Sequence, residues 1–360
     1  MTAVEITWLA CDLRTGRIAE ELPALRATGP LSRRIGSVTN TGLSLDLAGA
    51  PAEWEAATDP ARTLLVAVDT ATAVPLWSGI PLPRVGGSSN QATFTAASAE
   101  CYLARRHAAY TGTTVDRSAV MAGVAAPLLV NGPPFVIDAI DTGSTMDYAV
   151  ADEDDKSILS ILEELDGQDG APEWTVDTAW TDTTQSSVEL ILRIHPSIGI
   201  QPEVPATVFD MPGCVADYTL TESYESGRGA TQVIARGDSQ GGGRASSSVH
   251  TADDLLAAGW CLWEYRYSPG AGITDTDQLD AHAAQSLALM RTGSRAWTLQ
   301  AVASVAPRLG IDWALGDSIT LAVAAGVSPR HPAGVLVTAR AWGWELDPGG
   351  DKLTPILLED

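Results

Sequence analysis

Thr63-Leu-Leu-Val-Ala-Val68, a polar turn, Trp77-Ser-Gly-Ile80, a second turn and Ala92-Thr-Phe-Thr95 have a counterpart near the other end of the chain. There Ser318-Ile-Thr-Leu-Ala-Val323 is followed by a turn, Ala333-Gly-Val-Leu336, another turn and Lys352-Leu-Thr-Pro-Ile356. Sequence identity between the two stretches is negligible; what they share is strand, loop, strand, loop, strand. Runs of apolar and β-branched residues bounded by turn residues read as strands. The pattern therefore predicts two similar β units, one toward each end of the chain.

Around the first stretch the chain continues to read as β. Glu5 to Asp12, the polar turn Leu13-Arg-Thr-Gly16-Arg17 and Ile18 to Leu22 predict a hairpin. Leu43, Leu45 and Leu47 alternate, which puts them on one face of a strand. Pro51 to Ala57 reads as a short helix opened by proline, and Ser98 as the cap of a helix through Arg106. The first hundred residues thus describe a small antiparallel barrel or sandwich with one helix. From Asp116, which caps a helix carrying Val120 and Val124, the pattern becomes α+β. Ile158, Ile161, Leu162 and Leu165 fall at i, i+3, i+4 and i+7, an amphipathic helix with the acidic run Asp152-Glu-Asp-Asp155 placed at its N-terminus. Glu173 to Val176 and Val188 to His195 follow as strands. The last third returns to β: Tyr218 to Glu222 and Ala230 to Arg236 lead into a Gly-rich loop, Gly237 to Arg244. Thr251 and Asp254 are spaced as a capping box for a helix closed by Gly259. A longer helix spans Asp277 to Arg291, and strands over Ala296–Ser304, Ser318–Ala324, Gly334–Leu346 and Lys352–Leu358 close the chain.

With 360 residues, 45% of them hydrophobic, the chain has enough apolar surface for two or three cored domains. The 11 tryptophans and a mean hydropathy of +0.05 exclude a disordered acidic chain. A net charge of −23 argues against a nucleic-acid-binding face built of Lys and Arg. Lysine occurs only at Lys156 and Lys352 among 22 basic residues, an arginine skew expected of a GC-rich coding genome. The N-terminus lacks the basic and apolar regions of a signal peptide. The longest weakly polar run, Val120 to Val130, has 11 residues and contains Pro127, too short to span a membrane. Cys11, Cys101, Cys214 and Cys261 are scattered and read as free thiols from a reducing cytoplasm.

Candidate chemistry is sparse. Gly237-Asp-Ser239-Gln-Gly241 matches G-x-S-x-G, yet that elbow needs a helix after the serine, and Gly241-Gly-Gly-Arg-Ala-Ser is a poor helix start. His107 lacks the context of a serine-protease base, so the run reads as a flexible loop. Arg236-Gly-Asp238 is ordinary turn chemistry. Neither Asp152–Asp155 nor the trio Asp275, Asp277 and Asp280 has the order of an EF-hand loop. No P-loop, dinucleotide fingerprint or HExxH occurs, and the five histidines are far apart. The sequence therefore assigns no catalytic, cofactor-binding or metal-binding residue. Two aromatic stripes remain: Trp263, Tyr265 and Tyr267 in Trp260-Cys-Leu-Trp-Glu-Tyr-Arg-Tyr267, and Trp342 with Trp344 beside Leu346. Packing or subunit contact is the ordinary use of such stripes; sugar stacking is the alternative.

The opening Trp8-x-x-Cys-Asp-Leu-Arg-Thr-Gly-Arg-Ile18 resembles the start of minor tail proteins of long-tailed phages of actinobacteria. Tyr102-Leu-Ala-Arg-Arg106, Glu173-Trp174, Gly310-Ile-Asp-Trp-Ala-Leu-Gly-Asp317 and Arg340-Ala-Trp-Gly-Trp344 extend the resemblance over nearly the whole chain. These proteins are similar to the tail hub family, which includes the baseplate hub of T-even phage and the hub portion of type VI secretion spikes. The resemblance implies a β-rich α+β fold with two tube-like antiparallel β-barrels and two smaller α+β domains. It places the first barrel at 1–113, an α+β domain at 114–205, a split second barrel at 206–244 and 295–360, and an inserted domain at 245–294. It further implies a structural, non-enzymatic homotrimer at the virion tail tip, assembled in the host cytoplasm. The expected partners are the distal tail or tail tube protein, the tape measure protein and other tip or fibre proteins. Genomic DNA would pass through without sequence-specific binding. No lysin or peptidase domain is recognisable. A receptor- or carbohydrate-binding tip module is the alternative, and it would use Trp263, Tyr265 or Trp344.

Overall fold

A computed structural model describes residues 4–166, 168, 170–240, 243–269, 273 and 276–359, with the side chains of 238–240 and 278 left aside. Strands take up 45% of it and helices 16%. The chain divides into two compact units. The larger comprises Met1–Asp166, Gly170–Tyr218 and Thr298–Leu357; the smaller comprises Gly167–Asp169, Thr219–Trp297 and Leu358–Asp360.

The larger unit opens with strands β1 (Ile6–Asp12), β2 (Ile18–Glu21), β3 (Leu25–Ala27), β4 (Leu31–Arg34) and β5 (Asn40–Asp46). The one-turn helix α1 (Trp54–Ala57) precedes a meander of β6 (Thr63–Asp69), β7 (Pro75–Val85) and β8 (Gln91–Ser98). Seven of these strands form one sheet in the order β2-β1-β6-β7-β8-β5-β3. Its two edges are therefore neighbours in the chain, joined only by Leu22-Pro23-Ala24. Laid flat, seven strands would hold those edges about 29 Å apart at the usual spacing. A three-residue link reaches only about 13 Å. The sheet must curl, and it does so around Leu25, Leu43, Leu45, Leu65 and Trp77, all at most 1% exposed. Every residue of β6 is buried, because its second face also packs, through Leu64, Val66 and Val68.

That second face belongs to one continuous core with the middle segment: β9 (Tyr110–Asp116), α2 (Arg117–Ala125), β10 (Phe135–Ala139), β11 (Thr145–Val150), α3 (Ile158–Asp166), β12 (Glu173–Trp180) and β13 (Val188–His195). Asp116 caps α2 as expected, accepting from the Ser118 amide at 2.9 Å. The acidic run behaves differently. Asp152–Asp154 form a separate 3-10 turn, ended by Asp155 at φ +50°, and α3 starts only at Ile158. Ser157 caps it by accepting from the Ser160 amide, so the four exposed acids are not at the helix N-terminus. Ser98 likewise spends its hydroxyl on the Thr39 amide (3.0 Å), and the helix after it, Ala99–Arg105, is of the tighter 3-10 kind.

The remaining strands are β14 (Val208–Met211), β15 (Val215–Ser223), β16 (Gln232–Gln240), β17 (Gly243–Ser246), β18 (His250–Thr251), β19 (Glu264–Tyr267), β20 (Ser294–Val302), β21 (Ser318–Val323), β22 (Val335–Asp347) and β23 (Lys352–Leu358). Helices α4 (Asp253–Ala257) and α5 (Thr276–Met290) complete the chain. A second large sheet runs β14-β21-β22-β23-β20-β15, with β4 added to β22. The boundary between the two units falls within β15, β20 and β23. In the smaller unit, β16 pairs with β17 and β18 on one edge and β19 on the other, and α5 covers one face through Val233, Ala235, Leu279 and Ala283. Two expectations fail here. The run after Arg236 is no loop: β16 continues to Gln240 and pairs Ser239 with Arg244. Helix α4 begins after Ala252 without a side-chain cap, because Thr251 is committed to strand pairing with Gln232.

Candidate functional site

The second sheet repeats the first. Each is centred on a consecutive meander, β6-β7-β8 in one and β21-β22-β23 in the other. Each has, beyond the last meander strand, a strand from just before the meander and then an edge strand, β5 and β3 against β20 and β15. In each the two edges are joined by a three-residue link containing proline, Leu22-Pro23-Ala24 and Pro212-Gly213-Cys214. The first sheet carries one extra strand, β1, between β2 and β6. Because β1 is antiparallel to both, β2 runs parallel to β6, just as β14 runs parallel to β21. The second sheet is thus the first with β1 removed, and residues 224–293 stand where the first has the β3–β5 connection.

The first sheet does not close its ladder at the seam. The Leu22 amide donates to the Trp8 carbonyl (2.8 Å), but beside it a cleft of about 520 Å³ is lined by Val4–Trp8, Glu21, Pro23 and Leu25–Ala27. Large apolar side chains stand exposed at strand ends and edges, Val85 on β7, Val136 on β10, Val208 on β14 and Leu336 on β22, and Leu82 at the register shift of β7.

Three arginines join the parts of the larger unit. The β3–β5 connection sends β4 to the second sheet, pairing Leu31–Arg34 with Leu346–Gly343. From there Arg33 reaches the middle sheet, meeting Asp177 at 2.7 Å and the Val176 carbonyl at 2.7 Å. Burial pushes the neighbouring Glu100 carboxyl up, with the Arg33 charge opposing it. Arg340 on β22 donates to both carboxylate oxygens of Glu173 and to the carbonyls of Ile198 and Gly316. Arg308 clamps Asp69 at the end of β6. At the Arg340 joint three of the quoted motifs meet, through Glu173, Gly316 and Ala341. Gly316 donates to the Ala341 carbonyl, Trp174 accepts from the Gly36 amide, and Asp12 ties the Thr15 turn whose Gly16 lies against the Val188 carbonyl. The motifs are legible in the sequence and the joints are not; the available signal is a lone arginine inside an apolar strand, as in Val-Thr-Ala-Arg340-Ala-Trp.

Other candidates do not converge. Ser239 sits in a strand and its side chain lies outside the described residues, as does Asp275. Asp280 accepts from the Ser248 amide and hydroxyl, and Asp152–Asp155 are exposed. Among the described residues no group of His, Cys, Asp and Glu is placed to hold a metal ion. No described helix is long and apolar enough to cross a membrane. All four cysteines are free, and burial drives the Cys11 thiol up to about 12. Of the aromatic stripes, Trp344 is 2% exposed and closed to a sugar. Tyr265 is half-buried and stacked on Tyr267 at 5.3 Å, while Trp263 is 53% exposed, edge-on to Tyr224.

No family model and no curated protein matches the chain. Its fold is nevertheless that of solved tail proteins. The 43 kDa tail protein of prophage MuSo2 from Shewanella oneidensis superposes with a TM-score of 0.60 at 12% identity, covering 99% of this chain and 98% of that one. Prophage tail protein gp18 from Listeria monocytogenes gives 0.57 at 10% identity, over 98% and 94%. A chain of the half-lidded PdpA–VgrG complex of Francisella gives 0.55 at 9% identity, over 99% of this chain and 58% of that one.

Proposed function

We infer that this chain is a structural hub protein of a phage tail tip, acting as a homotrimeric ring. The observation that carries the reading is the duplicated sheet. A tube built of hexameric rings must hand over to a threefold tip, and three chains with two similar curled sheets each offer six similar units. The domain layout that goes with it is a first barrel at 1–113, an α+β domain at 114–205 and a second barrel in two pieces around an inserted domain; because β16 and β17 pair within the smaller unit, the insertion starts near 224, earlier than the expected 245. Cyclic closure needs heterologous contacts between different surfaces of neighbouring chains, and it would cover the exposed edge and strand-end residues Val136, Val208 and Leu336. Distal tail or tube protein on one side, and tape measure, tip or fibre proteins on the other, are the partners. The ring lets genomic DNA through without sequence-specific contacts and performs no chemistry. The shared fold with solved tail proteins supports a place in a virion tail.

Electron microscopy of the particle's tail tip, or of the purified oligomer, tests this. The expected image is a threefold ring with six comparable units around its channel. A ring of another order, or one in which the two sheets of a chain lie at different radii, overturns it. A carbohydrate-binding role now rests on Trp263. Saturable glycan binding that disappears in Trp263→Ala would favour that second reading.

A further inference from the structure

The smaller unit holds a basic cleft that the assembly reading does not use. Residues 219–297 contain six arginines, and three of them, Arg236, Arg244 and Arg266, line a single cleft of about 380 Å³ with Tyr267 and Ser268. The strand register explains the convergence. On β19, Arg266 is level with Ile234 of β16; Arg236 follows two residues along β16 on the same face; Ser246 of β17 is level with Arg236, and Arg244 lies two residues beyond it. The three guanidinium-bearing positions therefore run diagonally across three adjacent strands. They occupy the face opposite α5, which packs on Val233 and Ala235.

The cleft is fixed before anything binds. Arg244 donates from Nε to the Gly237 carbonyl (3.0 Å) and from Nη2 to the Ser268 hydroxyl (3.2 Å), while that hydroxyl donates to the Arg236 carbonyl (2.7 Å). On the opposite, α5 side of the sheet a Cβ at Gly237 would lie 2.2 Å from the Ile273 carbonyl, so the strand that carries Arg236 sits tight against its core. Among the described residues, Arg236 and Arg244 form no ion pair; Arg266 has only the exposed Glu264, at 3.0 Å. A chain of net charge −23 that gathers three guanidinium groups in one concavity invites an anion. Planar forks match the tetrahedral oxygens of phosphate two at a time, which suits them better to that group than to a point charge.

We propose that the cleft of Arg236, Arg244 and Arg266 is a binding site for a phosphate group, free or carried on a polymer. The assignment is independent of ring formation, so either can fail alone. The test is calorimetric titration of the full chain at low ionic strength with inorganic phosphate and, separately, with a polyphosphate chain; citrate serves as the carboxylate counterpart. The expected result is saturable binding of at least one phosphate probe, weakened about tenfold or more in Arg236→Ala/Arg244→Ala and unchanged in Arg228→Ala, an exposed arginine outside the cleft. Binding of both probes means the group alone is read; binding of polyphosphate only means a polymer is required; both support the site. The double variant Arg236→Lys/Arg244→Lys keeps charge and fold while removing the forks, and it too is expected to bind more weakly. Absence of saturable binding by either phosphate probe, equal binding by the lysine variant, or citrate binding as tightly as phosphate overturns the proposal.

Discussion

Arg308 donates two hydrogen bonds of 2.6 Å, from Nε and Nη2, to the two carboxylate oxygens of Asp69, whose side chain is 1% exposed. The residues are 239 apart in sequence. One ends β6 of the first sheet; the other lies between β20 and β21 of the second. Burial raises the Asp69 carboxyl, but Arg308, the Thr72 hydroxyl and the Ala71 amide overcome it and leave the group below its usual range.

This pairing predicts a fold that loses stability in acid. A carboxyl depressed in the folded state adds stability that is present above its unfolded pKa of about 3.9 and is lost as pH falls through the folded value. Asp69→Asn is expected to destabilise the protein at pH 7 by about 1–3 kcal/mol and to flatten the acid limb of the stability profile. Urea unfolding at several pH values measures it. An unchanged acid limb in the variant would show that Asp69 does not set it.

Asp166, the last residue of α3, predicts the opposite slope. Burial, with the charges of Glu163 and Glu173 adding to it, pushes this carboxyl up to about 6 against the pull of the Trp174 indole. The protonated form is favoured in the fold, so stability falls as pH rises from about 4 through 6. Because the group is partly exposed, solvent screening limits the effect to about 1 kcal/mol. Asp166→Asn should be the more stable protein at pH 7 and indistinguishable from the parent at pH 4.

Gly79, on β7, has no room for a methyl group. A Cβ there would meet the Ala97 carbonyl at 2.7 Å and the Trp77 ring at 2.2 Å, with Trp77 itself 1% exposed. Gly79→Ala is expected to cost about 1–3 kcal/mol or more from overpacking. A melting temperature within a degree of the parent would mean that the sheet core yields more easily than its packing indicates.

Trp344 and Trp263, one from each aromatic stripe, should separate on substitution. Trp344→Ala removes a buried ring and should cost about 3–5 kcal/mol. Trp263→Ala removes a half-exposed one, and thermal unfolding should register about 1 kcal/mol or less. Equal losses would contradict the difference in burial.

Short-range physics is what can be read along this chain. The run Thr63–Val68 is apolar at consecutive positions because β6 is buried on both faces, and that is visible without coordinates. The meander it begins, its echo at Ser318–Val323, the Asp116 cap and the Ile158–Leu165 stripe are likewise local patterns of period and turn chemistry. The acidic run before α3 and the stretch after Arg236 mislead for the same reason: Ser157 supplies the cap instead of the acids, and β17 recruits a Gly-rich segment as a strand, choices made by a competing partner. Long-range packing alone makes the edges of each sheet meet through three-residue links, leaves the second sheet without a counterpart of β1, and brings Arg308 to Asp69, Arg340 to Glu173 and Arg33 to Asp177. Such pairings join residues scores to hundreds of positions apart, and no periodicity records them. A guanidinium in an apolar strand announces that a carboxylate must come to it, because an unpaired buried charge is too costly to keep; which carboxylate comes is settled by the curl of the sheets.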